Sequence, residues 1–471
     1  MVVVRGLAEI LALGSNAIAV VVASRAVGPT NFGTLALAAA IGQLGIIIGN
    51  AGISTYGSQR IASETRDQRD QPGQISSVWL AVVISRIVPS IVAATAGILA
   101  AALLVQDPLL RGFLYVVFPS LMVLPLKSEW FLVALGRIQA VAFVRAAGAI
   151  GTAILTVVLI RGEADADRLP LLFVVPLVVT ATLSSLMVVR SDRAGQRARQ
   201  LTSAGVMTHY VRSGWHYLKA DASVFVYANS DRLFLWVLSG PTVLGLYDAA
   251  YKLLLPFYAV GAVVSDSMYQ RLAHAIGRPS FAVVFRRWVD FMSVATVPAG
   301  FVCMAYSAWI IGLIYGEQFE GAAVYLSLLG WVITIGYLAG IITIPFTAWN
   351  APREYANSIV AGGVTNLALN VALIPGLAGA GAALATIAAK AAVGIVGFRY
   401  FRRKTEYPVL RDFAFYLVAS GASVLIASMT ARLGIPIPAQ IVLAGMTYAA
   451  MVGFFRLRPD RSEERQRVAT P

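Results

Sequence analysis

Long apolar stretches alternate with short polar segments along nearly the whole chain. Fourteen stretches are long enough to cross a bilayer as helices, since each crossing takes about 20 apolar residues. They comprise residues 7–27, 34–57, 76–104, 112–135, 141–160, 169–190, 214–238, 246–266, 289–314, 322–349, 356–375, 379–398, 412–431 and 438–457. Their apolar residues run on without alternation, which favours helices over the strands of a barrel. The pattern predicts an all-α polytopic membrane protein, and the composition, 58% hydrophobic and 13% charged, agrees with it.

Three sequence landmarks occur twice, in the same order and at nearly constant spacing. They are the pairs 28–33 and 240–245, 59–62 and 270–273, and 147–160 and 361–374, with offsets of 212, 211 and 214 residues. The first pair reads Gly-Pro-Thr-Asn-Phe-Gly and Gly-Pro-Thr-Val-Leu-Gly. A membrane chain built from two similar halves usually binds its substrate at the seam and rocks one half against the other.

The repeat divides the chain into two six-span lobes and an addition. The predicted parts are an N-lobe (1–190), a cytoplasmic linker (191–213), a C-lobe (214–398), two additional spans (399–457) and a cytoplasmic tail (458–471). No hydrophilic segment is longer than roughly 25 residues, the scale of a loop rather than a domain. The chain therefore offers no place for an extramembrane catalytic domain, and we expect a protein that is not an enzyme.

The charges are distributed unevenly between alternate loops. Most of the 37 Lys and Arg residues fall on one side, including those at 190–212, 271–287, 399–411 and 456–467. Because positively charged loops stay in the cytoplasm, both termini are expected there. The net charge of +14 is then a signal of topology and of contact with anionic membrane lipid, and nucleic acid is not an expected partner.

Six of the cations inside predicted spans are candidates for lining a cavity. They are Arg86, Lys127, Lys219, Arg232, Lys252 and Lys390. Placing any one of them against lipid at the centre of the bilayer would cost about 2.5–3.5 kcal/mol of free energy. They are therefore expected to face a wet interior or a charged partner, although Arg86 and Lys219 lie near enough to the cytoplasmic side to snorkel. A cavity lined by such residues suits an anion, and a phosphate or pyrophosphate group fits best.

Acidic and amide side chains in the same spans are candidates for ion coupling or for lining the cavity. They are Glu129, Asp221, Asn229, Asp231 and Asp248. Asp248 and Lys252 are four residues apart and suit a local pair. Adjacent residues of a helix face different ways, so Asp231 and Arg232 should have different targets. Asp221, Asn229 and Arg232 share a helical face.

The sequence predicts no cofactor and no metal site, and leaves H+ or Na+ open as a coupling ion. Cys303 is the single cysteine, which excludes an intrachain disulfide and a cysteine-based metal cluster. The three histidines are not spaced as metal ligands and are expected at the membrane interface. They are His209, His216 and His274.

Three segments resemble the bacterial polysaccharide-export flippases of the oligosaccharidyl-lipid type, a family in the same superfamily as multidrug/toxin extruders and lipid II flippases. The segments are residues 24–33, 245–253 and 366–383. The resemblance covers about residues 1–400, and it fixes the superfamily more firmly than the substrate. The lead before the first span, residues 1–5, is shorter than the basic lead that is usual in the family, which suggests a truncated start.

The resemblance implies a V-shaped, two-lobed transporter in the bacterial cytoplasmic (inner) membrane. It would move an undecaprenyl-diphosphate-linked oligosaccharide to the outer leaflet by alternating access, with a polysaccharide polymerase and assembly proteins as further partners. The role of meeting the pyrophosphate would fall to the intramembrane cations. The outer gate and its loops would involve Arg25, Gly28, Pro29, Gly240 and Pro241.

Two other functions stay open. One is a multidrug or toxin exporter of the same architecture, for which Glu129 is the main acidic candidate in the N-lobe interior. The other is a polytopic polymerase or glycosyltransferase, which the short loops disfavour.

Overall fold

The computed structural model describes residues 2–67, 72–191 and 204–457, and within these ranges all regular secondary structure is helical. The helices are α1 (Val2–Asn50), α2 (Ile53–Asp67), α3 (Pro72–Leu104), α4 (Pro108–Ser120), α5 (Glu129–Ala134), α6 (Ile138–Leu159), α7 (Leu171–Ser191), α8 (Ala204–Lys252), α9 (Leu255–Ala275), α10 (Phe281–Ser293), α11 (Thr296–Ala305), α12 (Ser307–Tyr315), α13 (Ala322–Ala348), α14 (Pro352–Lys404), α15 (Val409–Met429) and α16 (Ile437–Leu457). The predicted all-α fold is confirmed.

Eleven helical stretches in the described part of the chain are long and apolar enough to cross a membrane. Three of them, Leu11–Asn50, Ala228–Ala275 and Pro352–Lys404, each overlap two of the fourteen predicted spans. The other eight each correspond to one predicted span. The prediction of about fourteen membrane-spanning helices is therefore confirmed.

The repeated Gly-Pro sequence breaks α1 and α8 in the same way. Gly28 has φ 75° and ψ 172°, and Gly240 has φ 83° and ψ 174°. This backbone region is essentially restricted to glycine. The proline that follows has a fixed φ that suits the first residue of the next helical segment. The repeated sequence therefore produces the same backbone break in α1 and α8, and each of these long helices contains two spans separated by the break.

Three predicted span boundaries are wrong. The span predicted at 34–57 ends at Asn50, because Ala51 and Gly52 both have positive φ, 48° and 69°. The span predicted at 112–135 is divided into α4, a 3-10 turn at Leu121–Leu126 and the short helix α5. The span predicted at 289–314 is divided among α10, α11 and α12. Pro119 and Pro125 contribute to the interruption of the span 112–135, since proline removes a backbone donor.

The chain forms two compact units, Met1–Asp248 and Ala249–Pro471. In the first unit, α1 packs on α3, α4 and α6, α6 packs on α7, and α2 packs on α3 and α5. In the second, α13 packs on α9, α11 and α14, and α15 packs on α10, α11 and α16. The predicted lobes stay a prediction. Most of the predicted linker (192–203) and the predicted tail (458–471) lie outside the described residues.

Candidate functional site

The interruption of the predicted span 112–135 is held open by side-chain hydrogen bonds. Lys127 has extended backbone angles, φ −68° and ψ 97°, and Ser128 lies fully buried between the 3-10 turn and α5. The Ser128 amide donates to Ser184 Oγ at 2.9 Å, and Trp79 Nε1 donates to Ser128 Oγ at 2.8 Å. Irregular backbone at membrane depth is tolerated only where protein buries it or where it lines a cavity. In transporters such breaks commonly mark the binding site.

Arg86 of α3 reaches this interruption. Its Nη1 donates to the Lys127 carbonyl oxygen at 3.1 Å, which satisfies an acceptor that the broken helix leaves without a helical partner. The residue is only 2% exposed, and it forms no ion pair within the part of the chain that the structure describes. Arg86 thus has a structural contact, but its positive charge stays uncompensated by any carboxylate there.

Three buried donors near the interruption lack an acceptor among the described residues. They are Ser85 Oγ, Arg86 Nε and Trp130 Nε1. Trp130 packs against a core that includes Val82, one helical turn before Arg86. Buried donors are nearly always hydrogen-bonded in native proteins, so a set of orphaned donors calls for an explanation. All three can donate, which suits an acceptor-rich group such as an anion.

Glu129 gathers two further cations at the same place. Arg145 Nε of α6 lies 2.8 Å from Glu129 Oε2, and Lys127 Nζ lies 3.6 Å from Glu129 Oε1. The Glu129 side chain is 9% exposed, whereas those of Lys127 and Arg145 are 34% and 62% exposed. Two cations therefore pair with one carboxylate, Arg86 adds a third positive charge on the Lys127 carbonyl, and the accessible Lys127 and Arg145 can contact a solute. We name the residues Arg86, Lys127, Glu129 and Arg145 the basic cluster.

The basic cluster lies toward the arginine-rich ends of its helices. Arg86 is nine residues from the start of the candidate span Ser77–Leu104, or about 13 Å along the helix axis. Glu129 is five residues from the end of Pro108–Ala134, or about 8 Å. Arg145 is seven residues into Ile138–Leu159, or about 10 Å. The cluster is therefore intramembrane but within reach of one surface.

A second polar network joins the two halves of α8. Arg232 Nε donates to Asp248 Oδ1 at 2.8 Å, and its Nη1 donates to Asn229 Oδ1 at 2.8 Å. Asp231 instead accepts from the Tyr247 hydroxyl at 2.9 Å, so the adjacent Asp231 and Arg232 do have different targets. Both aspartates are buried. The charge of Arg232 is locally compensated, unlike that of Arg86, and the predicted substrate role of Arg232 stays a prediction.

The remaining predicted cations occupy varied surroundings. Lys219 is exposed, with its Nζ 5.3 Å from the centre of the Trp215 ring. Lys252 and Lys390 are half-buried in the second unit, and the aliphatic stem of Lys390 runs beside Gly336 of α13. Asp221 is half-buried on α8, and Arg25 is exposed one turn before the Gly28 break. Their predicted roles in binding, coupling and gating stay predictions.

The two copies of the Gly-Pro-Thr motif touch each other within the first unit. The hydroxyls of Thr30 and Thr242 lie 2.8 Å apart. A β-carbon on Gly33 would overlap the carbonyl oxygen of Pro241 and approach the Gly245 amide nitrogen to 2.7 Å. A β-carbon on Gly245 would in turn overlap the Pro29 carbonyl oxygen. We name this reciprocal arrangement the repeat contact.

A second contact joins α2 and α8 at the other ends of these helices. A β-carbon on Gly52 would overlap the Gly214 carbonyl oxygen, and a β-carbon on Gly214 would overlap the Ala51 carbonyl oxygen. The Tyr217 hydroxyl donates to Gln59 Oε1, and the Tyr56 hydroxyl lies 2.9 Å from His209 Nε2. Within the first unit, the space between α1, α2 and α8 is thus closed by a contact at each end. A bulky polar group could pass there only after one of the contacts separates.

Sequence reasoning missed Arg145 and the pairing of Lys127 with Glu129. Arg145 lies inside the predicted span 141–160, so its position in the sequence already marked it as an intramembrane cation. Residues two apart on a continuous helix do not face each other, so spacing alone does not predict a pair of Lys127 and Glu129. The backbone turns at Lys127 and Ser128 and brings the two side chains together.

The fold is that of a class of polytopic helical transporters. A lipid II flippase, MurJ, in its inward closed conformation, shares 16% identity, covers 96% of this chain and 98% of its own, and superposes with a TM-score of 0.66. An inward-facing MATE family multidrug resistance transporter of the MOP superfamily shares 13% identity over 85% and 97% of the two chains, with a TM-score of 0.63. A MOP superfamily transporter from Pyrococcus furiosus shares 13% identity over 84% and 97%, with a TM-score of 0.54.

The sequence narrows this class to one family. The profile of the family described as polysaccharide biosynthesis protein matches residues 2–265, more than half of the chain. The chain belongs to this family. No curated protein matches the chain closely enough to be counted as a relative.

Proposed function

We propose that this protein is a flippase that translocates an undecaprenyl-diphosphate-linked oligosaccharide across the bacterial cytoplasmic membrane, for the synthesis of a surface polysaccharide. It works by alternating access, with both termini in the cytoplasm, and is not itself an enzyme. Its partners are membrane lipid, the lipid-linked substrate, and a polysaccharide polymerase with its assembly proteins. The family and the MurJ-like fold support a transporter of this class.

The basic cluster is the observation that carries the proposal. It places three cations and one carboxylate at an interrupted span, with one buried arginine that no carboxylate of the described residues compensates. A diphosphate offers several acceptor oxygens and at least two negative charges, which match orphaned donors and excess positive charge together. A hydrophobic cation would be repelled at the same place. The cluster therefore favours a phosphorylated lipid head over a cationic drug.

The proposed translocation uses the two contacts that close the ends of the first unit, which open in turn. The diphosphate enters from the arginine-rich side while the contact between α2 and α8 is open, and it binds at the basic cluster. Closure of that contact and separation of the repeat contact then expose the head to the other side. Asp221, Asp231 and Asp248 are the groups proposed to couple this exchange to H+ or Na+, because a buried acid changes its charge when its partner moves.

A binding measurement with the purified protein tests the substrate class. Undecaprenyl-diphosphate oligosaccharide is compared with undecaprenyl monophosphate by native mass spectrometry, in the wild type and in Arg86→Gln with Lys127→Gln. We expect the diphosphate to bind tightly and the double variant to lose about tenfold or more in affinity, the effect of about 1.4 kcal/mol. Arg137→Gln is the matched control, because Arg137 is exposed at the start of α6 and near the same end. Equal binding by wild type and double variant would refute this assignment.

Export of a cationic drug is the second candidate. The buried carboxylates Asp231 and Asp248 and the similarity to a MATE transporter favour it. Efflux of a cationic dye from cells distinguishes the two functions. Efflux that Glu129→Gln abolishes would support the drug exporter and count against the flippase.

A further inference from the structure

A polar groove lies on the first unit beyond the ends of its candidate spans. The candidate span in α8 starts at Ala228, so the first part of the helix, from Ala204, precedes it, and α2 follows the span that ends at Asn50. The groove between these segments is lined by Tyr56, His209, Arg212, Ser213, His216 and Tyr217. We name it the histidine groove. It lies at the arginine-rich end, the end from which the proposed substrate enters.

The lining of the groove has a distinct chemistry. Two imidazoles, one guanidinium and one hydroxyl line it together with two tyrosines, and no carboxylate is among the lining residues. Arginine and charged histidine donate strong hydrogen bonds to carboxylate and phosphate. Tyrosine offers a flat apolar face with a polar tip, which suits the carbon–hydrogen face of a sugar ring. This combination matches a ring that carries both hydroxyl groups and a negative charge.

The groove is built on packed residues rather than on loose surface chains. Tyr210, which is fully buried, meets Tyr56 and His209 edge-on, with ring centres 5.3 Å and 6.1 Å away. Tyr56 is also fixed by its hydrogen bond to His209, and Tyr217 by its hydrogen bond to Gln59. A ligand that engages the hydroxyls of Tyr56 and Tyr217 would compete with both of these bonds.

We propose that the histidine groove binds an acidic sugar of the substrate's head group before translocation. Binding competes with the Tyr56–His209 and Tyr217–Gln59 hydrogen bonds and so loosens the contact that closes this end. The inference rests on the proposed function, and it adds the chemical class of the glycan and the place where the protein first binds it. A phosphate would use only the cations of the groove, whereas an acidic sugar also uses the tyrosine faces.

Saturation-transfer NMR on the full-length protein in nanodiscs of zwitterionic lipid tests the site. The probes are a glucuronate-containing disaccharide, a neutral disaccharide and inorganic pyrophosphate, the last used as a competitor. We expect saturation transfer to the ring protons of the acidic disaccharide with a Kd of about 1 mM, and much weaker transfer to the neutral one. Pyrophosphate should compete only partly. No transfer to the acidic disaccharide, or equal transfer to both sugars, would overturn the proposal, as would complete displacement by pyrophosphate.

Variants show which residues bind the acidic disaccharide. His209→Ala with His216→Ala should weaken binding about tenfold, because the ring nitrogens that hydrogen-bond the sugar are lost. His274→Ala removes an exposed histidine outside the groove and should leave binding unchanged. Tyr56→Phe keeps the ring and the fold but loses the hydroxyl, so it should keep the stacking and change affinity only a few-fold. Equal loss in His274→Ala would mean that the sugar binds elsewhere.

A second readout separates this inference from the proposed function. The histidine pair should keep full binding of undecaprenyl diphosphate, whereas the Arg86 and Lys127 variants should lose it and keep the disaccharide signal. In the wild type, the acidic disaccharide should speed amide hydrogen exchange around Gly52 and Gly214, where α2 and α8 meet. Exchange at the same rate with and without the sugar would refute the competition with the closing contact.

Discussion

The hydroxyl oxygens of Thr30 and Thr242 lie 2.8 Å apart, although 212 residues separate them in sequence. The same offset relates the two copies of the Gly-Pro-Thr motif, so a residue of one copy meets its own counterpart in the other. Gly33 and Gly245 are arranged reciprocally, each against the carbonyl of the other copy's proline. The internal repeat therefore forms an isologous contact within one chain, the arrangement that two-fold interfaces show between identical subunits.

Cross-linking this contact is expected to stop transport. Thr30→Cys with Thr242→Cys, in a Cys303→Ser background, should form a disulfide in membranes, because hydroxyls in hydrogen-bond contact imply a spacing that a disulfide can bridge. Oxidised protein should bind substrate but not release it on the other side, and reduction should restore transport. Maleimide-polyethylene glycol labelling measures the free thiols.

Each single cysteine variant provides the control for this experiment. Either one should remain labelled and active after oxidation. Full transport by the cross-linked protein would show that the repeat contact does not need to separate.

The glycines of the repeat contact should tolerate no side chain. Gly33→Ala and Gly245→Ala would each place a methyl group into a backbone carbonyl, and overpacking of this kind costs about 1–3 kcal/mol. Thermal unfolding of the purified protein should therefore show a lower midpoint for both. Gly14→Ala in the same helix is the matched control, since a β-carbon there meets nothing within 4 Å. A midpoint unchanged by Gly33→Ala would contradict the close approach.

Removal of the acidic member of the basic cluster should tighten binding. Glu129→Gln releases Lys127 and Arg145 from a carboxylate that competes with the substrate, and about 1.4 kcal/mol of added attraction corresponds to tenfold in affinity for the diphosphate. The binding assay with undecaprenyl diphosphate measures this change. Weaker binding in Glu129→Gln would mean that the carboxylate positions the cations rather than competes for them.

The ion pair in α8 should contribute to stability. Arg232→Ala removes the partner of the buried Asp248, and breaking a buried pair in this way costs about 3–5 kcal/mol. Lys219→Ala, at an exposed lysine of the same helix, should cost about 1 kcal/mol or less, the worth of an exposed cation–π contact. Comparison of the two unfolding midpoints is the measurement. Similar midpoints would indicate that the network of Arg232 is not needed for folding.

Much of the fold could be predicted from the sequence because the bilayer imposes simple rules. Long apolar runs give the fourteen spans, and the repeated Gly28 and Gly240 mark equal corners, since only glycine adopts the required backbone. The interruption at Lys127 could not be located from hydropathy. Pro119 and Pro125 weaken the helix before it, but hydrogen bonds to distant residues such as Ser184 decide where the helix stops.

The candidate site was only partly predictable for the same reason. Arg86 and Lys127 were expected to face the interior, and the carbonyl contact between them is tertiary information that spacing does not carry. Arg232 has the same residue type and a similar sequence context to Arg86, yet its charge meets Asp248. Whether a buried cation has a carboxylate partner depends on the packing of helices that are remote in sequence.

The basic cluster is proposed to receive the diphosphate of a lipid-linked oligosaccharide that the protein moves between leaflets. Translocation of a fluorescent undecaprenyl-diphosphate oligosaccharide in proteoliposomes tests this role, read from its accessibility to a membrane-impermeant quencher. We expect rapid translocation by the wild type and by Arg137→Gln, and loss of translocation in folded Arg86→Gln with Lys127→Gln. A wild type that leaves the lipid in its original leaflet, or a double variant that moves it at the same rate, would contradict the proposed function.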